Sequence, residues 1–114
     1  MNECTLPSSL PEEVEQALLR CGGIEGFLRD LPKDHELLKR SALYRALADP
    51  IRLKILAMLR DQPLCVCIMK SILGIADSKL SYHLNVLKKA GLIEGGKRGS
   101  WIIYSITEAG REFV

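Results

Sequence analysis

The spacing of apolar residues changes once along this chain, at Gly91-Leu92, and that change limits the folds open to it. Before it, Leu, Ile and Val recur at helical intervals in several short segments. After it come a short apolar run, Leu92-Ile93-Glu94, and a β-branched and aromatic one, Trp101 to Ile106. Between these two lies Gly95-Gly96-Lys97-Arg98-Gly99-Ser100, which reads as a flexible turn closing a hairpin. A succession of short helices followed by one hairpin is mainly α with a small β-hairpin.

Glycine and proline punctuate the helical part. A first helix is expected from Ser9, with Glu12 at capping-box spacing and Pro11 in its first turn. Val14, Ala17, Leu18 and Cys21 share one face of it, and Gly22-Gly23 stops it; Ile24 to Leu31 forms a short segment before Pro32. A long helix follows over Asp34–Leu47. Asp49-Pro50 then restarts the helical pattern, because the carboxylate accepts free N–H groups and proline suits the first turn. That helix carries Ile51, Ile55, Leu56 and Leu59 and closes at Asp61-Gln62-Pro63. A third pattern runs from Leu64 to Leu73 and breaks at Gly74. A fourth helix, capped by Asp77 or Ser78, turns Leu80, Leu84 and Leu87 inward and ends at Gly91. Thr107-Glu108 begins a last helical turn.

The sequence predicts an N-terminal helical extension over residues 1–33 and a winged helix-turn-helix over residues 34–114: two short helices about a glycine turn, then a basic-tipped hairpin. The chain has 114 residues with a net charge of only +2, but the charge is unevenly placed. Residues 1–37 hold eight acidic and three basic side chains; residues 38–114 hold six acidic and thirteen basic. A basic second part suits a polyanion partner, because Lys and Arg gain affinity by releasing phosphate counterions. The candidate DNA-reading residues are Ser78, Lys79, Ser81, Tyr82 and Asn85 on the open face of the fourth helix, with His83 between its two faces. Lys97 and Arg98 at the hairpin tip suit backbone phosphates.

Three stretches, in order, resemble those of the arsenic-repressor (ArsR/SmtB) family of winged-helix regulators. Ala46 to Leu56 is similar to the opening of its core domain, Ser78 to Leu92 to its recognition helix, and Gly99 to Thr107 to its wing. The resemblance covers about residues 38–110. It implies a homodimeric repressor that occludes a palindromic double-stranded DNA operator and releases it when an effector binds. Asp77 departs from the family pattern and reads as a helix cap. The chain ends where the family usually continues into a dimerising helix, so dimerisation is expected to rest on the N-terminal helices, including Val14, Leu18, Phe27 and Leu28.

Leu64-Cys65-Val66-Cys67 resembles the metal box of the family's arsenic- and cadmium-responsive members, although Ile68 and Lys70 stand where an acidic residue and a further cysteine often occur. The implied effector is a thiophilic metal or metalloid ion: arsenite, Cd(II) or Zn(II). Residues two apart on a regular helix point to nearly opposite sides, so chelation is expected to unwind or reorient the helix start. Soft ions take three or four ligands, and Cys4 is the candidate third. Cys21, on an apolar helix face, reads as core packing. The alternative trigger is a thiol redox switch at the same cysteines. A reading from another class, a winged-helix protein-interaction module without DNA, is opposed by Lys79, Lys97 and Arg98. No Ser/His/Asp set, phosphate loop or paired carboxylates point to an enzyme. No apolar run reaches the roughly 20 residues of a membrane span, and the N-terminus lacks the features of a secretory signal. A cytoplasmic, membrane-free protein with reduced thiols is therefore expected.

Overall fold

The computed structural model describes residues 10–114. The expected Ser9 cap and Cys4 lie outside the described residues. The chain divides into two compact units, one up to Glu36 and one from Leu37 to Val114. The division falls inside a helix, whereas the sequence suggested it before that helix.

In the first unit, α1 (Glu12–Cys21) is preceded by Pro11 as N-cap, without a side-chain cap bond. Glu12, Glu13 and Glu15 crowd its first turn, where carboxylates complement the free N–H groups. Gly22 takes the left-handed conformation, φ 80° and ψ 32°, and its N–H returns to the Leu18 and Leu19 carbonyls. The chain turns at once into α2 (Gly23–Asp30). These helices touch closely at Gly26, where an added Cβ would overlap the Cys21 carbonyl oxygen. Gly26 is the one buried residue of α1 and α2; Val14, Phe27 and Leu28 are exposed and Leu18 is half-buried.

The helix α3 (Asp34–Leu47) leads into the second unit, followed by α4 (Pro50–Leu59), β1 (Leu64–Cys65), α5 (Val66–Leu73), α6 (Asp77–Lys89), β2 (Ile93–Arg98), β3 (Trp101–Ile106) and α7 (Glu108–Arg111). Asp49 caps α4 as expected, its Oδ1 accepting from the N–H groups of Ile51 at 2.8 Å and Arg52 at 3.2 Å. Those bonds hold the Asp49 carboxyl below its ordinary pKa although desolvation, the largest single influence, pushes it up. The core draws Ile55, Leu56 and Leu59 from α4, Met69 from α5, and Leu80, Leu84 and Leu87 from α6. Leu92, Ile93 and Ile106 close it from the sheet. Each is within a few per cent of full burial, stabilising the fold by about 1.5–3 kcal/mol per large aliphatic side chain.

Two corrections concern the sheet. It has three strands in the order β1-β3-β2, not two. The stretch Leu64 to Leu73 is not one helix: Leu64 and Cys65 pair antiparallel with Tyr104 and Ile103, and the helix begins only at Val66. Likewise, Gly95 to Arg98 is strand and not turn, since β2 pairs with β3 from Ile93↔Ile106 through Arg98↔Trp101. Gly95 is needed there because the Tyr104 ring lies where its Cβ would be, 2.9 Å from the nearest ring carbon. Only Gly99, with φ 63°, and Ser100 form the reversal. Thr107 ties the sheet's end down, donating from Oγ1 to the Gly91 carbonyl at 2.7 Å and accepting from Gly110 N–H at 3.1 Å.

Candidate nucleic-acid interface and thiol pair

The turn between α5 and α6 is set by Gly74, left-handed with φ 64°, whose N–H closes on the Lys70 carbonyl at 2.8 Å. The N-cap of α6 is Ala76, with no side-chain cap bond, so neither Asp77 nor Ser78 fills that role. Asp77 is instead the first helical residue and pairs with Lys70 Nζ at 2.8 Å, bridging the two helices across the turn. Both side chains are solvated, so the pair contributes about 0–1 kcal/mol. Its larger effect is to offset a carboxylate that helical spacing puts on the same side of α6 as Lys88.

With Leu80, Leu84 and Leu87 against the core, helical spacing leaves Ser78, Tyr82, Asn85 and Lys89 along the opposite face of α6, with Ser81 and Lys88 flanking it toward the hairpin. Ser78, Lys79, Ser81, Tyr82 and Asn85 are all exposed, as are Lys97 and Arg98 beside the hairpin reversal.

His83 does not join them. It is 5% exposed, and its Nδ1 lies 3.1 Å from Arg52 Nη1. A guanidinium only donates, so Nδ1 accepts and the neutral ring carries its proton on Nε2. Burial pushes the His83 pKa below 6.5, and the nearby Arg52 and Lys79 charges push the same way against Asp49. Arg52 also donates from Nε to the Ala46 carbonyl at 2.7 Å and from Nη2 to the Arg45 carbonyl at 3.0 Å. It thus satisfies the last carbonyls of α3 while holding α6 against α4. Sequence spacing alone left His83 ambiguous because its partner is 31 residues away.

The cysteines lie closer together than helix geometry allows. Cys65 sits outside α5, as its N-cap in extended conformation (φ −81°, ψ 158°), while Cys67 is the second helical residue. Their Sγ atoms are 2.8 Å apart, so the helix need not distort to bring both to one point. The Cys65 thiol is pulled below its ordinary pKa, first by a hydrogen bond from Cys67 and then by the Ile68 N–H; Cys67 is raised as the group that keeps the proton. Among the described residues no three His, Cys, Asp or Glu side chains converge as a metal-holding group. The pair therefore supplies two ligands of the three or four a soft ion takes. Cys21 belongs to the other compact unit and is half-buried.

The pair opens into a groove of about 600 Å³ bounded by the start of α5, by Ser81, Asn85 and Lys88 of α6, and by Ser100, Trp101 and Tyr104 of the hairpin. No described helix is long and apolar enough to cross a membrane.

Two helices about a glycine turn, a basic-edged hairpin and an exposed polar face on the second helix define a winged helix-turn-helix transcriptional regulator. Residues 49–94 match the arsR family of bacterial regulatory proteins. The arsenical resistance operon repressor of Bacillus subtilis is 38% identical over 80 residues, 69% of this chain and 76% of the repressor. The chain belongs to the arsR family. An uncharacterized HTH-type transcriptional regulator of Methanocaldococcus jannaschii is 38% identical over 71 residues, 61% of this chain and 80% of that protein. Among solved structures, a homodimeric winged helix-turn-helix DNA-binding domain from Mycobacterium bovis superposes with TM-score 0.62 at 26% identity, covering 72% of this chain and 79% of the other. The family is one of regulatory proteins and the Bacillus subtilis relative is a repressor; this chain is a transcriptional regulator rather than an enzyme.

Proposed function

We propose that this protein is a double-stranded DNA-binding repressor that leaves its operator when a thiophilic metal or metalloid ion binds at Cys65 and Cys67. The carrying observation is the thiol pair itself: two sulfurs 2.8 Å apart at the root of the helix-turn-helix, one with a lowered pKa. Ser78, Lys79, Ser81, Tyr82 and Asn85 meet base edges and phosphates in the major groove, and Lys97 and Arg98 neutralise the neighbouring backbone. His83 acts from inside, by seating α6. The Bacillus subtilis relative is named for arsenical resistance, which supports arsenite as the first ion to try, with Cd(II) and Zn(II) beside it. Cys4 completes the ligand set, from its own subunit or a partner's.

A homodimer is favoured by the exposed Val14, Phe27 and Leu28 of α1 and α2, apolar side chains on helices with almost no buried residue of their own. The Mycobacterium bovis structural relative is homodimeric. The same closeness of Cys65 and Cys67 favours a second trigger, a reversible disulfide formed by an oxidant.

Titrating the protein into the DNA upstream of its own gene, with and without arsenite, Cd(II), Zn(II) or peroxide, separates these readings. Stoichiometric ion uptake with release of DNA is expected, and the Cys65→Ser/Cys67→Ser variant should stay bound. Release by mild oxidant alone would transfer the trigger to redox chemistry. Failure to bind any duplex at low salt would end the DNA reading.

A further inference from the structure

The groove beside the thiols is lined by α6 and the hairpin, the two elements assigned to DNA, and it is far larger than one ion. A single ion coordinated by Cys65 and Cys67 fills a small part of about 600 Å³. The remainder is apolar at Val66, Leu84, Trp101 and Tyr104 and cationic at Lys70 and Lys88, with Asp77 paired to Lys70. If α6 lies in the major groove and the hairpin on the adjacent backbone, a sugar-phosphate strand passes between them, across the mouth of this space.

We infer that Cys65 and Cys67 form an attachment site for small anionic disulfides and thiosulfonates, from which a cysteine thiolate takes the sulfur-bound anionic group as a thiolate or sulfinate leaves, and that a group bound there excludes DNA by occupying and charging the same groove. This rests on the DNA-binding reading above and adds a route that needs no rearrangement of α5. The charge balance of the lining favours an anion. Lys88 stands on the groove wall without a carboxylate partner among the described ion pairs, while Lys70 and Asp77 cancel one another, so the lining is net positive through Lys88. The apolar wall holds the carbon body of the attached group, as in ordinary ligand pockets of about 300–1,000 Å³. The same cations that retain the anion are those a phosphate would meet, so the two compete for one set of charges.

The experiment uses the full chain with Cys4→Ser, Cys21→Ser and Cys67→Ser, so that only Cys65 reacts and no neighbouring thiol displaces the adduct as a Cys65–Cys67 disulfide. Two methanethiosulfonates of similar size are compared, one carrying 2-sulfonatoethyl and one 2-(trimethylammonio)ethyl. In each, a cysteine thiolate attacks the sulfenyl sulfur, a disulfide to the adduct forms, and methanesulfinate leaves with the bonding pair. DNA affinity is read by fluorescence anisotropy on the protein's own upstream duplex. The sulfonate adduct should weaken binding by about 100-fold and the trimethylammonium adduct at least 10-fold less, with the gap closing as salt rises. Bound DNA should also slow the labelling of Cys65. Equal losses from the two adducts would show that labelling acts through helix distortion and would overturn the inference, as would labelling that DNA does not slow. A charge-dependent loss that persists when Cys65→Ser is added would place the effect elsewhere and likewise overturn it. If the unlabelled protein binds no duplex, the DNA reading has failed first and this inference falls with it.

Discussion

Replacing Arg52 with methionine tests how the recognition helix is seated. The guanidinium makes three bonds, to the Ala46 carbonyl at 2.7 Å, the Arg45 carbonyl at 3.0 Å and His83 Nδ1 at 3.1 Å, and the residue is 8% exposed. Bonds from a charged donor contribute about 1.5 kcal/mol or more each, which sets a gross value of about 4.5 kcal/mol. Returning the cation to water in the unfolded chain offsets part of that, since its burial is itself costly. Methionine keeps the length and the apolar packing, so no large cavity opens. The expected loss is about 3 kcal/mol. With a urea slope of about 1.5 kcal/mol per M, the unfolding midpoint should fall by about 2 M. The melt is followed by circular dichroism at one fixed protein concentration, because subunit association would otherwise move the midpoint. DNA affinity measured well below the transition should fall too, since α6 loses its anchor to α4. A midpoint within about 0.3 M of the parent would refute the claim that these bonds hold α3, α4 and α6 together.

The remaining predictions follow from single contacts. His83 has a folded pKa below its unfolded 6.5, so the unfolded state binds more protons under acid conditions. Stability present above pH 6.5 is therefore lost as pH falls through 6.5 toward the folded value, and His83→Gln, which keeps an acceptor, should flatten that part of a pH–stability curve. Asp49→Ala removes both cap bonds of α4 and should cost about 1 kcal/mol in thermal or urea melts, with Asp49→Asn recovering most of it. Gly110→Ala drives a Cβ into the Leu92 carbonyl oxygen and should destabilise by about 1–3 kcal/mol, visible as a lowered Tm. Lys97→Ala with Arg98→Ala should weaken DNA binding alike for all sequences and reduce the salt slope by about 1–2, whereas Asn85→Ala should alter base preference and leave that slope unchanged.

Much of the architecture was legible because its breaks are written in residues with strong local preferences. Gly22, Asp49-Pro50, Gly74 and Gly91 each mark an end or a start where the structure has one. What escaped depends on partners distant in sequence. Leu64-Cys65 is too short to show any period, and its strand character comes from Tyr104 and Ile103, about forty residues on. Gly95-Gly96 has the composition of a turn, yet it pairs with β3 as strand, with Tyr104 close against Gly95. Exposure along one helix was readable, as for Ser78, Ser81, Tyr82 and Asn85. It was not readable for His83, whose place is decided by Arg52, nor for Asp77, whose carboxylate takes Lys70 and not a backbone N–H.

The two-residue strand also changes how a ligand at the thiols would be felt. Had both cysteines lain in α5, chelation would have had to unwind that helix, and the signal would have run through the turn at Gly74 into α6. Cys65 instead belongs to β1, and α5 packs chiefly on β1 and β3. Cys65 pairs with Ile103 on one edge of β3, while the other edge pairs with Lys97 and Arg98 through Ile102 and Trp101. A ligand that draws Cys65 out of its extended conformation therefore disturbs the ladder holding the hairpin before it disturbs α5. The thiol pair is mechanically nearer the wing than the recognition helix. On the reading proposed above, phosphate contacts at Lys97 and Arg98 loosen first, and base contacts along α6 fail because the register that the backbone contacts maintain has gone.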